Sequence, residues 1–187
     1  MTDLTEIYRL YGAHRMKMYL AARDGDTERA LKLYVQNVKQ SADYWKLIET
    51  VEVLLRNRIS GYLFPEGRVQ YFEGCTWQSW TRPDMNRDSF FIDEFSFGFW
   101  PFLINSANAN RTWNAGLHRS FRSKTSRSSL HEATKQIHAL RNKIGHHDPV
   151  WHLDHNTLTA SFEFVLMAIS ESAYLWARDQ IGFPVKL

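Results

Sequence analysis

The sequence predicts an all-α protein, an up-and-down helical bundle forming a single domain over residues 1–187, with one long irregular loop around residues 64–88. Three observations lead there. Apolar residues recur at alternating steps of three and four through Leu130, Ala133, Ile137, Leu140 and Ile144. The same period runs from Tyr44 to Ile59 and from Leu158 to Trp176, and it is the signature of helices with one face on a core. These rows end at residues that stop helices: Ser60-Gly61, Gly145 with Asp148-Pro149, and Gly182-Phe183-Pro184. At 187 residues, 44% hydrophobic and 14% aromatic with seven Trp, the chain can bury one substantial, aromatic-rich core. It contains no internal repeat and no low-complexity segment.

Taken in order, Ile7, Leu10, Tyr11, Met18 and Tyr19 mark a helix from Thr5 to about Ala22, stopped by Asp24-Gly25-Asp26. Thr27 caps the next. Ala30, Leu31, Leu33, Tyr34 and Val38 form its apolar face, and Tyr44 to Ile59 continue the period, as one long helix or as two broken near Gln40-Ser41. On it Glu52 precedes Arg56 by four residues, the favourable order for an ion pair within a helix. Glu52, Arg56 and Asn57 are either a structural group beside the core or a brace for a site on a neighbouring helix.

Phe64 to Arg87 holds Pro65, Gly67, Gly74 and Pro83 and no sustained period, so it reads as a loop with a short hairpin around Val69 to Phe72. Its Trp77 and Trp80, amid Arg68, Arg82 and Arg87, either cap the core or stack bases while the arginines hold phosphates. Ser89 then caps a helix whose Phe90, Phe91, Phe95, Phe97, Phe99, Trp100, Phe102, Leu103 and Ile104 are apolar on nearly every side, the pattern of a buried element or of one covered by another subunit. Pro101 predicts a break near Phe99. Asn105 to Asn110 form a polar turn, and Trp113, Leu117 and Phe121 a short helix. Asn156 or Thr157 caps the last helix.

Charge and cysteine content exclude little by themselves. Lys and Arg exceed Asp and Glu by 23 to 20, a net charge of +3, so only the placement of charge can argue for a polyanionic partner. Arg119, Arg122, Lys124 and Arg127 are so placed, directly before the helix of Leu130 to Ile144. As a solvated linker they carry no meaning; as a landing strip for RNA they are well positioned, and this second reading is preferred. Cys75 is the only cysteine, which excludes an internal disulfide and a thiolate metal cage and favours a reducing cytoplasm. Met1-Thr2-Asp3-Leu4-Thr5-Glu6 lacks a basic start and an apolar run, and no stretch is long and apolar enough to span a membrane. A cytoplasmic protein with no membrane partner is expected.

The densest chemistry is Leu140-Arg141-Asn142-Lys143-Ile144-Gly145-His146-His147-Asp148-Pro149. Arg141 lies on the flank of the apolar row, while His138, Asn142 and His146, each four residues from the next, form a polar ridge beside it. A left-handed Gly145 would end the helix there and let His146 swing beside Arg141.

Arg-Asn-x-x-x-His with a second His and Asp-Pro behind it resembles the active-site motif of the HEPN ribonucleases, and "LRNKIGHHDPVW" resembles their Abi-like, abortive-infection branch. Arg29 to Leu63 is similar to the opening helices of that branch, Phe95 to Trp100 to its central segment, and Thr112 to Phe121 to the stretch before its catalytic helix. The resemblance implies a HEPN-like bundle, a toxin or phage-defence role with an antitoxin or phage-derived trigger, and a homodimer that faces two motifs across a shared cleft. One departure is Asp148, where relatives controlled by a nucleotidyltransferase carry tyrosine; modification at that position is not expected.

Cleaving RNA without a metal requires a base for the 2′-hydroxyl proton, an acid for the leaving 5′-oxygen and a cation for the phosphorane. His146 is the candidate for proton transfer, Arg141 for the phosphate, and Asn142 for orientation; the resemblance implies the same roles. His147 is an in-chain alternative for the second proton. No cofactor is expected. A metal site built from His146, His147, Asp148, His152, Asp154 and His155 is the less favoured alternative, because no fixed ligand spacing occurs. A non-catalytic module binding RNA or protein through the same basic face is the other.

Overall fold

The computed structural model describes residues 3–65, 68–70 and 89–184, with the backbone alone for 68–70 and 89–91. Trp77, Trp80, Arg82, Arg87 and Cys75, singled out above, lie outside the described residues. The fold is an all-α bundle with one short two-stranded ribbon.

Asp3 accepts hydrogen bonds from the Thr5 and Glu6 amides and starts α1, Leu4–Tyr11. The helix expected to run on to Ala22 is broken at Gly12, whose φ of 82° no right-handed helix accommodates, and α2 covers Ala13–Ala21. Asp26 then caps α3, Thr27–Leu63, which is one unbroken helix through Gln40-Ser41. Strand β1, Arg68–Gln70, pairs antiparallel with β2, Ser89–Phe91, far along the chain, and the hairpin expected around Val69 to Phe72 extends outside the described residues. Ser89 therefore begins a strand and not a helix. A 3₁₀ turn at Ile92–Glu94 leads to α4, Phe99–Leu103, so the chain restarts at Phe99 with Pro101 inside the first helical turn, where its missing N–H costs nothing.

From Asn105 the chain runs in turns to a 3₁₀ segment, Leu117–Ser120, shorter than the helix expected there. Buried polar groups hold these turns: Thr112 Oγ1 donates to the Leu103 carbonyl at 2.6 Å, and Asn108 Nδ2 to that of Phe102 at 2.9 Å. Gly116, at φ 139°, is required, because a Cβ there would sit 1.9 Å from Tyr62 Oη at the end of α3. Helices α5, Arg127–Gly145, α6, His155–Ile169, and α7, Glu171–Trp176, follow, with a π-turn at Ala177–Ile181.

Helices α3, α5 and α6 pack together, and the main core lies between them and the aromatic segment before α4. Phe97, Phe99 and Trp100 are fully buried in it and Phe95 nearly so, which removes them as cover for a second subunit. Their aromatic partners lie within the chain: Phe95 stacks on Phe99 at 4.1 Å and Phe99 meets Trp100 edge-on at 5.0 Å. A smaller cluster of Met16, Tyr19, Ala30, Leu31 and Leu33 joins α2 to the start of α3. Among the described residues no helix is long and apolar enough to cross a membrane.

Candidate functional site

Helix α5 is built to hold its polar ridge still. Ser126 caps it, Arg127 Nη1 donates to the Ile104 carbonyl at 2.9 Å, and Leu130, Ala133, Thr134, Ile137 and Leu140 are buried along one face. The row that the period predicts is thus the row that packs. Arg141, next after Leu140, lands half-buried at the seam with α3. Its guanidinium carbon lies 5.9 Å from the ring centre of Trp45, and its Nη1 3.8 Å from where a Cβ on Gly145 would stand.

Trp45, Glu52 and Arg56 follow one another on α3 at steps of seven and four, which places them on one face of the helix. Burial raises the pKa of the Glu52 carboxyl above the usual range, and the positive charges of Arg141 and Arg56 oppose that rise. Glu52 thus lies within electrostatic reach of both arginines, with burial the larger influence on its carboxyl. Among the described residues Arg141 Nε and Arg56 Nε are both buried without a hydrogen-bond partner. Asn57 does not join this group, but lines a separate groove of about 470 Å³ with Leu54, Arg58, Tyr62 and Ser120.

Asn142 Nδ2 lies 3.2 Å from His138 Nε2. Burial, and secondarily the charge of Arg141, lower the pKa of His138 below its ordinary value, and Phe97 meets the ring edge-on at 5.7 Å. A neutral His138 accepts at Nε2 the hydrogen bond that Asn142 donates. His138 thus orients Asn142 beside Arg141; the sequence placed it on the ridge without assigning it a role.

The end of α5 differs from expectation. Gly145 remains helical, and the left-handed residue is His147, at φ 58°. The His147 amide donates to Ile144 O at 2.9 Å and the Asp148 amide to Lys143 O at 2.8 Å, the paired bonds of a Schellman end with histidine at the position glycine usually fills. Tertiary bonds hold it there. Arg15 Nη1 donates to the His147 carbonyl, and Asn37 Oδ1 accepts from the Val150 amide at 2.7 Å and the Trp151 amide at 3.1 Å. His146 occupies the cap position with its side chain exposed, and among the described residues no hydrogen bond joins it to Arg141.

The basic stretch divides in two. Arg119 and Lys124 are exposed. Arg122 pairs with Glu171 at 3.5 Å, and its amide donates to Ala168 O at 2.8 Å, while Arg127 is tied to Ile104. Half of the expected landing strip thus also fastens the fold. The ligands of the metal alternative serve separate structural ends: Asp154 caps α6, and buried His155 meets Tyr44 Oη at 2.7 Å through Nδ1 and the Trp151 carbonyl at 3.2 Å through Nε2. Among the described residues no three His, Cys, Asp or Glu side chains are grouped to hold a metal ion.

Trp45 is the residue that sequence reasoning missed. Its spacing to Glu52 and Arg56 was visible, but its approach to Arg141 depends on how α3 and α5 pack. No protein-family model matches the chain, and no curated protein or solved structure matches it either.

Proposed function

We propose that the chain is a metal-independent endoribonuclease of HEPN type, acting as a toxin in phage defence. The observation that carries the reading is Arg141: a guanidinium held half-buried between two helices, with a buried Nε–H that no group among the described residues accepts, six residues or fewer from three histidines. An arginine so held is ready to grip a phosphate through its planar fork.

His146, exposed at the end of the same helix, takes the proton of the RNA 2′-hydroxyl. The 2′-oxygen bonds to phosphorus, and the bond from phosphorus to the 5′-oxygen breaks. The leaving oxygen receives a proton from the histidinium, or from a second histidine. The products are a 2′,3′-cyclic phosphate and a 5′-hydroxyl. Arg141 meets the charge that develops on the phosphorane, and Asn142, fixed by His138, orients the group it holds. His147 in the same chain, or His146 of a second copy facing it across a twofold axis, supplies the second proton site. Arg119 and Lys124, with Arg122 and Arg127 behind them, gather the RNA. An antitoxin or a phage-derived trigger would act by covering or freeing this face.

The test is cleavage of single-stranded RNA by the purified protein in EDTA, with end analysis of the fragments. Cleavage with 2′,3′-cyclic ends is expected. Loss of cleavage on chelation with recovery on adding a divalent ion would overturn the metal-free mechanism, and RNA binding without cleavage would favour the non-catalytic module. Light scattering tests the twofold arrangement: a monomer at tens of micromolar would leave His147 as the second proton site.

A further inference from the structure

Among the described tryptophans Trp45 and Trp176 are exposed, and Trp45 is the one with a guanidinium against its ring. Trp100 is buried among phenylalanines, Trp113 stacks on Phe121 at 5.5 Å, and Trp151 lies against Tyr19 and His152. Trp45 keeps 41% of its surface exposed, and its described partner is the Arg141 guanidinium. Exposure alone does not set Trp45 apart, since Trp176 is 53% exposed; its place against Arg141 does. Arg141 keeps a buried N–H without a partner among the described residues, as Arg56 and Trp100 also do, so what marks it is the exposed ring beside its guanidinium.

We propose that Trp45 and Arg141 form one nucleotide subsite for single-stranded RNA, in which the Trp45 indole stacks an unpaired base and Arg141 holds the phosphate next to it. This rests on the ribonuclease reading above and gives Trp45, which that reading leaves without a role, to an unpaired base of the strand. The Arg141 guanidinium carbon lies 5.9 Å from the Trp45 ring centre, close enough for one nucleotide to set its base against the exposed ring and its phosphate against the guanidinium. Stacking on an aromatic ring tolerates any base, because every base has a π-face, while a base locked in a duplex cannot reach the ring. The subsite therefore selects strand state and leaves sequence unread.

The experiment measures binding, so that its failure and the failure of the nuclease reading stay distinct. The probe is a short oligonucleotide with 2′-O-methyl sugars, which offers no nucleophilic hydroxyl and cannot be cleaved by this route. Trp45→Ala should weaken binding of the single strand by about 5- to 150-fold, the range for losing one stacked base. Trp45→Phe should recover most of it, and binding of the same sequence as a duplex should not change. With the parent protein, one abasic position scanned along the strand should weaken binding to a comparable degree, and that effect should vanish in Trp45→Ala. The scan on the parent protein needs no variant, and Trp45→Phe controls for the fold where Trp45→Ala is used. Equal weakening for single strand and duplex, an abasic scan without effect, or no RNA binding at all would overturn the subsite. Stacking at Trp45 in a protein that never cleaves natural RNA would support the subsite and sink the nuclease reading alone.

Discussion

Arg15 of α2 donates a hydrogen bond to the main-chain carbonyl of His147, just past the end of α5. That carbonyl belongs to a residue in the left-handed region, a conformation that costs a non-glycine residue about 1 kcal/mol or more unless its surroundings hold it. Asn37 of α3 takes the two amides that follow Pro149. The segment carrying His146 is therefore fastened by α2 and α3, and its place relative to Arg141 is not set by α5 alone. Arg15→Ala should lower stability by about 0.5–1.5 kcal/mol, the usual contribution of one such bond. It should also reduce kcat more than it raises KM, since the groups that grip RNA stay and only the aim of His146 loosens. Chemical denaturation and steady-state cleavage read the two effects; unchanged kcat in a destabilised protein would make Arg15 a purely structural tie.

Chemistry and binding should separate within one set of variants. His146→Ala is expected to abolish cleavage with RNA affinity nearly unchanged, because a neutral imidazole attracts phosphate weakly. Removing the charge of Arg119 and Lys124 should do the reverse, lowering the salt slope of binding by roughly 0.7 for each phosphate no longer neutralised, with cleavage recovering at saturating RNA. Arg122 and Arg127 should also lower the melting temperature when replaced, because Glu171 and the Ile104 carbonyl would be left without their partners. Arg141→Lys keeps the charge without the fork and should cut kcat on the order of 100-fold. A folded His146→Ala with parental cleavage would remove this histidine from the mechanism.

Gly145 is helical and has room, so Gly145→Ala should stabilise the protein by about 0.4–1 kcal/mol through the unfolded chain. The added methyl would meet Arg141 Nη1 at 3.8 Å, an ordinary van der Waals approach, so cleavage should persist. A marked drop in stability in urea denaturation would mean that Gly145, and not His147, takes the left-handed turn.

His138 links stability to acid. Its folded pKa lies below its ordinary 6.5, through burial first and the Arg141 charge second, while the unfolded chain titrates near that ordinary value. Between the two values the unfolded state binds more protons. The contribution is therefore complete above about pH 6.5 and is lost as pH falls through the folded pKa. His131 and His152 are shifted in the same direction and add to the slope. His138→Gln should flatten the fall in melting temperature from neutral pH toward pH 5 without removing it. An unchanged slope would show that His138 is as easily protonated folded as unfolded.

Much of the bundle was legible because helical period is a local property. Leu130 to Ile144 and Tyr44 to Ile59 repeat at the spacing of a helix face, and these rows are what the core buries. Caps were read one to three residues late: Asp26 and Asp154, and not Thr27 and Asn156 or Thr157, accept from the first amides of α3 and α6, because neighbouring polar residues can each serve as a cap. The segment from Ser89 to Trp100 misled, because an aromatic run apolar on every side has no period to distinguish strand from helix. Pairing of Ser89–Phe91 with Arg68–Gln70 decided that stretch.

The sequence by itself determined the helices, their buried faces, and the grouping of Arg141, Asn142, His146 and His147 on one turn and its end. Only the tertiary structure decided what surrounds them. Trp45 reaches Arg141 because α3 and α5 pack side by side, and the left-handed turn falls on His147 because Arg15 and Asn37 hold the chain there. Residue type and spacing encode what one helix can present. Which groups from other helices meet it depends on how their apolar faces fit, and no local pattern carries that information.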